Sequence, residues 1–337
     1  MVKISQTKVK KVDIDIKDQK ILALLSGNSR MPLSEIAKSV QLSRDLVNYR
    51  IQRMIKAGLI LNFMPEIDFK KLGFDIYHLF MVISDEEPKK TELIQALKNH
   101  KNTISLTEYS DRWDFEACII AKDIYEFDKI FTELSSKFSQ IITERIRMTV
   151  IESYNPIILP FQFTPEFTKL MQSKSKYIDY AYDAYDMKIL EQLSKDARMS
   201  TYEISKSIPL SADAIGIRIK KLLNCGIIKK FTVHLDLSIL DYNLYTFALQ
   251  MKVFDKPTET KFKSFVRGHP YIVKAIKTLG AFDILIYINA ENTKKFHETV
   301  KCIRNEFSFF IKNQDTYVVF KEHLLCPFPQ ILKKDYT

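Results

Sequence analysis

The stretch "LSRDLVNYRIQRMIKAGLI", Leu42 to Ile60, decides how the rest of the chain is read. Ser43 is placed to accept a bond from an orphan backbone N–H at a helix start. Val47, Ile51, Met54 and Ile55 then recur at helical spacing, and Gly58 suits the left-handed turn that stops a helix. A relative of the stretch, "LSADAIGIRIKKLLNCGII", fills Leu210 to Ile228, displaced by 168 positions without a gap. Extending the comparison outward, Asp18 to Phe63 against Asp186 to Phe231 gives 20 identities in 46 positions. Fixed spacing over that length marks an internal duplication.

Upstream of the quoted helix, Ile21, Leu22 and Leu25 share one helical face, and "SEIAKSV" reads as a second short helix. Three helices followed by the strand-like "LILNFMPEI", read as a strand and hairpin, make a winged helix-turn-helix. Beyond it come a strand at "YHLFMVI", a helix from Pro88 to Asn99 and strands at "TISLTEY" and "DFEACIIA". A helix from Ile124 to Phe138 and a strand from Ile141 to Ile151 complete a ferredoxin-like β-α-β-β-α-β order. The second copy repeats it. The expected fold is therefore α+β, two tandem units, each a winged helix-turn-helix (15–66 and 183–234) followed by a ferredoxin-like domain (76–151 and 244–321). The linker, 152–182, is interrupted by proline, with a helix expected from Pro165 to Tyr185.

With 51 basic and 41 acidic residues the chain carries a formal charge of +10, which favours an anionic partner. Its seven glycines form no phosphate-cradling loop. Cys118, Cys225, Cys302 and Cys326 are scattered without a CxxC pair, as in a reducing compartment, and are read as small buried hydrophobes. No apolar run is long enough to span a bilayer and no signal-like segment opens the chain, so a cytoplasmic protein with no membrane partner is expected.

The motifs "DIKDQKIL" (Asp15 to Leu22) and "DAYDMKIL" (Asp183 to Leu190), with Leu42, Ser43, Arg50, Ile51, Gly58, Leu59 and Ile60, resemble those of the Lrp/AsnC family of leucine-responsive, feast/famine regulators. "KKLGF" after the wing and "GAFD" at Gly280 to Asp283 match less specifically. The resemblance implies RAM-type ferredoxin-like modules and pairing as dimers, so a tandem chain resembles a dimer fused into one polypeptide. It implies a DNA-binding transcriptional regulator of double-stranded DNA, responding to an amino-acid-like effector, with further homo-oligomers of the fused chain.

In the first copy Arg44, Asp45, Asn48, Tyr49, Arg50, Gln52, Arg53 and Lys56 lie on the outward side and flanks of the third helix, where Arg suits guanine and Asn or Gln adenine. Residues 1–66 add a charge of +6, from 12 basic and 6 acidic residues. In the second copy Ala212, Gly216 and Ile217 replace Arg44, Asn48 and Tyr49, leaving Arg218, Lys220 and Lys221 for phosphates, or a structural module with Ile217 buried. A ligand site is expected near Asp114, Gly280 and Asp283, whereas Trp113 is read as core. Two readings stand beside the regulator: a ligand-sensing or interaction protein whose winged helices have left DNA, and a siroheme decarboxylase-like enzyme. Relatives of the latter kind carry an "H-R-x-L-G-[YF]"-like segment after the wing. Here it reads "FKKLGF" (Phe69 to Phe74) and "LSILDY" (Leu237 to Tyr242), without the histidine, and the six histidines show no metal-ligand spacing. No enzyme, cofactor or metal is expected.

Overall fold

The computed structural model describes residues 12–154, 159–160 and 180–336. Of the helix expected from Pro165 to Tyr185, residues 165–179 lie outside the described residues; the next helix begins at Ala184.

The first unit runs α1 (Ile16–Gly27), α2 (Leu33–Val40), α3 (Arg44–Lys56), β1 (Ile60–Ile67), β2 (Asp75–Ile83), α4 (Lys89–Asn99), β3 (Thr103–Tyr109), β4 (Phe115–Ala121), α5 (Ile124–Lys137) and β5 (Ile142–Tyr154). The second repeats the order as α6 (Ala184–Lys195), α7 (Thr201–Ser205), α8 (Ala212–Asn224), β6 (Ile228–Leu235), β7 (Asn243–Met251), α9 (Lys256–Gly268), β8 (Ile272–Gly280), β9 (Ile284–Ala290), α10 (Thr293–Phe307) and β10 (Ile311–Leu325). Ser43 and Ser211 cap α3 and α8 through the N–H of Leu46 and Ala214.

The wing is not a hairpin within either unit. After Ile67 the chain turns through a short 3-10 segment, Phe69–Leu72, and enters β2, so each unit supplies one strand. The missing partner comes from the other unit: β1 and β6 pair antiparallel, with Phe63 opposite Val233. Arg30 Nη1 donates to the carbonyls of Ala197 and Met199, at 2.5 and 2.8 Å, and Arg198, its counterpart, donates to that of Ser29. One apolar core joins both helix-turn-helix modules, from Leu22 and Met54 to Leu190 and Leu222.

The ferredoxin-like sheets also join. β5 pairs with β8 and β10 with β3, closing eight strands into a barrel, β10-β3-β4-β2-β5-β8-β9-β7. Alternation decides the faces. Tyr77, Leu79 and Met81 point outward beneath α4 and α5, whereas His78 and Phe80 point inward. Trp113 and Tyr317 are buried in that interior. Long β5 and β10 end in the opposite unit: Tyr154 bonds Glu259, at 2.9 Å, and His323 bonds Glu108, at 2.7 Å. Among the described residues no helix is long and apolar enough to cross a membrane.

Candidate functional site

On α3 the residues Arg44, Asp45, Asn48, Tyr49, Gln52 and Lys56 are exposed, as are Lys220 and Lys221 on α8. Arg50, Arg53 and Arg218 are placed otherwise. Asp18 is fully buried; Arg50 Nη1 reaches its Oδ1 at 3.0 Å and Arg53 Nη2 its Oδ2 at 2.5 Å. Asp15 and Asp18 also form a reciprocal cap at the start of α1. In the second unit Arg218 reaches buried Asp186 at 3.0 Å, and the Tyr180 hydroxyl supplies the second donor at 2.7 Å. A helical projection sets Arg53 outward and Arg50 on the flank, and gives no sign of acceptors that sit on another helix. These arginines brace the domain first, since a buried carboxylate must be paired. Ile217 is 56% exposed, so it is not buried against a partner within the chain.

The residues expected at a ligand site are engaged in the sheets. The Asp114 carboxylate accepts from Ile83 N at 2.7 Å and that of Asp283 from Met251 N at 2.6 Å, each tying a hairpin to the neighbouring strand. Gly280 has φ +146°, and a Cβ there meets Arg147 O at 2.5 Å. Glycine is required where β5 and β8 meet, and that junction opens into a groove of about 460 Å³ lined by Ile124, Tyr125, Asp128, Arg147 and Leu279. Tyr125 and Leu279 are 82% and 69% exposed. Arg147 lies over the Phe131 ring and pairs with Asp128 at 2.9 Å. That pair is exposed on both sides and therefore weak.

Within the barrel a second group converges. The buried Glu116 carboxylate accepts from the hydroxyls of Tyr109 and Tyr287 and contacts His78 Nδ1, with Cys118 beside the imidazole. Burial opposes charge on His78, but Cys118 and Glu116 outweigh it and raise its pKa. Burial likewise works to raise Glu116, yet its bonds to His78 and Tyr109 hold the carboxyl below the usual range. Sequence spacing showed no metal-ligand cluster; the fold brings one together, with the signal in "FEACIIA", a carboxylate and thiol two apart on an otherwise apolar strand. Of the four cysteines, Cys118 and Cys225 are buried, as expected of all, but Cys302 is exposed and Cys326 partly so.

Two family models match the chain: winged helix-turn-helix DNA-binding over residues 14–60 and the AsnC-type helix-turn-helix domain over residues 183–223. The HTH-type transcriptional regulator FL11 of Pyrococcus furiosus is 31% identical over 141 residues, 42% of this chain and 91% of its own length. LrpC of Bacillus subtilis is 30% identical over 140 residues, 42% of this chain and 92% of its length. The chain belongs to the Lrp/AsnC family of helix-turn-helix regulators, as a tandem member with two helix-turn-helix domains of the DNA-binding, transcription-regulatory type. Duplex DNA is the coarse class of partner these domains support.

Across its whole length the chain is similar in fold to the siroheme decarboxylase NirDL, solved alone and with an iron-uroporphyrin III analogue. The complex covers 95% of this chain and 96% of that one, with a TM-score of 0.62 at 9% identity. This finding overturns the expectation of a regulator that is not an enzyme. The regulators above match about half of the chain, whereas the fold spanning both units is similar to that of a protein solved as an enzyme.

Proposed function

We propose that the chain is an enzyme acting on a carboxylated tetrapyrrole, removing side-chain carboxylate as carbon dioxide with a proton taking its place. The observation that carries this reading is the fold built from both units of one chain, similar over 95% of its length to that of a siroheme decarboxylase. The groove at the β5–β8 junction supports it chemically. A flat apolar macrocycle rimmed by carboxylates needs apolar walls and a cation at its edge. Ile124, Tyr125 and Leu279 offer the walls, and Arg147 the cation. The exposed Arg147–Asp128 pair exchanges readily for a substrate carboxylate, because it is worth no more than about 1 kcal/mol. At about 460 Å³ the groove falls within the range of small-molecule sites, about 300–1,000 Å³.

The post-wing segment does not supply the chemistry. Lys70 Nζ donates to the Ile151 carbonyl at 2.8 Å and Lys71 Nζ to that of Cys225 at 2.5 Å, so both lysines tie the hinge between modules. Groove residues carry the binding instead. Titrating the full chain with siroheme under anaerobic conditions, followed by its Soret absorption, tests the reading. Saturation at one site per chain is expected, weakened about tenfold by Arg147→Ala, the equivalent of ~1.4 kcal/mol. An unperturbed Soret band at all ratios contradicts it.

A further inference from the structure

The group inside the barrel lies apart from the groove and takes no part in the activity proposed above. Its three donors are of three kinds: an imidazole, His78; a carboxylate, Glu116; and a thiol, Cys118. All three are buried. Cys118 Sγ stands 3.4 Å from His78 Nδ1, 3.7 Å from its Nε2 and 3.9 Å from Glu116 Oε1. Donors bound to one tetrahedral ion at 2.0–2.3 Å sit about 3.3–3.8 Å from one another. The sulfur stands close to that distance from Nδ1 and from the carboxylate; an ion seats there when the close His78–Glu116 contact opens and the imidazole turns, because Sγ now lies nearly equidistant from both ring nitrogens.

Charge fits as well. A dication among a neutral imidazole, a carboxylate and a thiolate leaves the interior without net charge. Tyr109 and Tyr287, donating to opposite oxygens of Glu116, fix the carboxylate as partners of metal ligands commonly do. A carboxylate, an imidazole and a thiolate together suit a borderline-soft ion better than calcium or magnesium, which take oxygen.

We infer that the barrel holds one divalent cation of the zinc class on His78, Glu116 and Cys118. The counterpart positions in the second unit are Thr246, Leu285 and Tyr287, which lack this donor set. The stoichiometry is therefore one per chain, although the fold is duplicated.

Titration of the chelator-treated full chain with Co2+, read by absorption, tests the assignment. The expected result is saturation at one equivalent, with tetrahedral d–d bands and a sulfur-to-cobalt charge-transfer band, both abolished when Zn2+ is added. Cys118→Ser is expected to remove the charge-transfer band, and Tyr109→Phe, which removes a partner of the Glu116 carboxylate, to weaken binding by about ten- to a hundredfold. Cys302→Ser, at an exposed cysteine, leaves both unchanged. Should Cys118→Ser not fold, the unmodified chain still decides: saturation without a charge-transfer band overturns the assignment. So does absence of uptake, or a charge-transfer band that survives in folded Cys118→Ser.

Discussion

The two units share one backbone plan and differ where side chains meet in pairs. In both, an aspartate of the "D-x-x-D" motif is buried under the third helix. The first unit satisfies it with two arginines, Arg50 and Arg53; the second uses Arg218 and the hydroxyl of Tyr180. The position of Arg53 is then free to be Lys221, which lies over the Tyr180 ring. At the two barrel seams the charges are exchanged. Lys90 faces Glu108 at 3.4 Å in the first unit, whereas Glu259 faces Lys277 at 3.0 Å in the second. The end of the opposite unit's long strand, His323 or Tyr154, completes each. Duplication has preserved the requirement that buried charge be paired while freeing the identity of the partners.

The largest effect expected from breaking this parallel is at Asp18. Asp18→Ala removes one arm of the reciprocal cap on α1 and leaves Arg53 without its carboxylate and Arg50 with Asp15 alone, at a cost of about 3–5 kcal/mol in chemical denaturation. Asp186→Ala is expected to cost less, because one of its two side-chain donors is a neutral hydroxyl. Equal losses would mean that Arg53 contributes nothing. Next comes Gly280→Ala, which drives a methyl into the Arg147 carbonyl and lowers stability by about 2–3 kcal/mol in thermal unfolding. Its counterpart, Asp111, accepts from Val318 N at 2.8 Å, so Asp111→Ala is expected to cost only about 1 kcal/mol.

A finer test compares Arg53→Ala with Lys221→Ala. The first uncovers one oxygen of buried Asp18 and is expected to cost about 2 kcal/mol. The second, at an exposed position, should stay within about 0.5 kcal/mol.

The smallest effect is one of pH. Burial works to raise Glu259, but Lys277, Lys263 and Tyr154 pull its pKa down to about 2. An unfolded glutamate titrates near ~4.3. Its folded value is the lower, so its stabilisation is complete above ~4.3 and disappears as pH falls toward about 2. Acid titration of unfolding should therefore be shallower for Glu259→Gln over that window. An unchanged slope would dissociate Glu259 from the seam.

The duplication, the three-helix plan and the β-α-β-β-α-β order were legible because periods of 3.6 and 2 are local properties. What joins the units was not. β1 reads as half of a hairpin, and nothing near it says that its partner is Ile228–Leu235. Arg50 and Arg53 project outward on their own helix, yet the acceptor is thirty-odd residues earlier on α1. Asp114 and Asp283 are read as ligand residues from the family resemblance alone; nothing in the sequence signals that each carboxylate accepts from a backbone N–H of a neighbouring strand. His78, Glu116 and Cys118 were hidden for the same reason, since strand pairing sets His78 opposite Cys118 across forty residues of chain. The expectation of a regulator failed at another level, for helix-turn-helix sequence identifies a family and not the use to which a fused pair is put.

On the proposed reading this pair of units forms an enzyme for a carboxylated tetrapyrrole. Anaerobic incubation of the full chain with siroheme, with the pigment then extracted and its mass measured, tests it most directly. Loss of carbon dioxide from one or more side chains, abolished or slowed by Arg147→Ala, is the predicted result. Siroheme recovered unchanged after prolonged incubation with folded protein would contradict it.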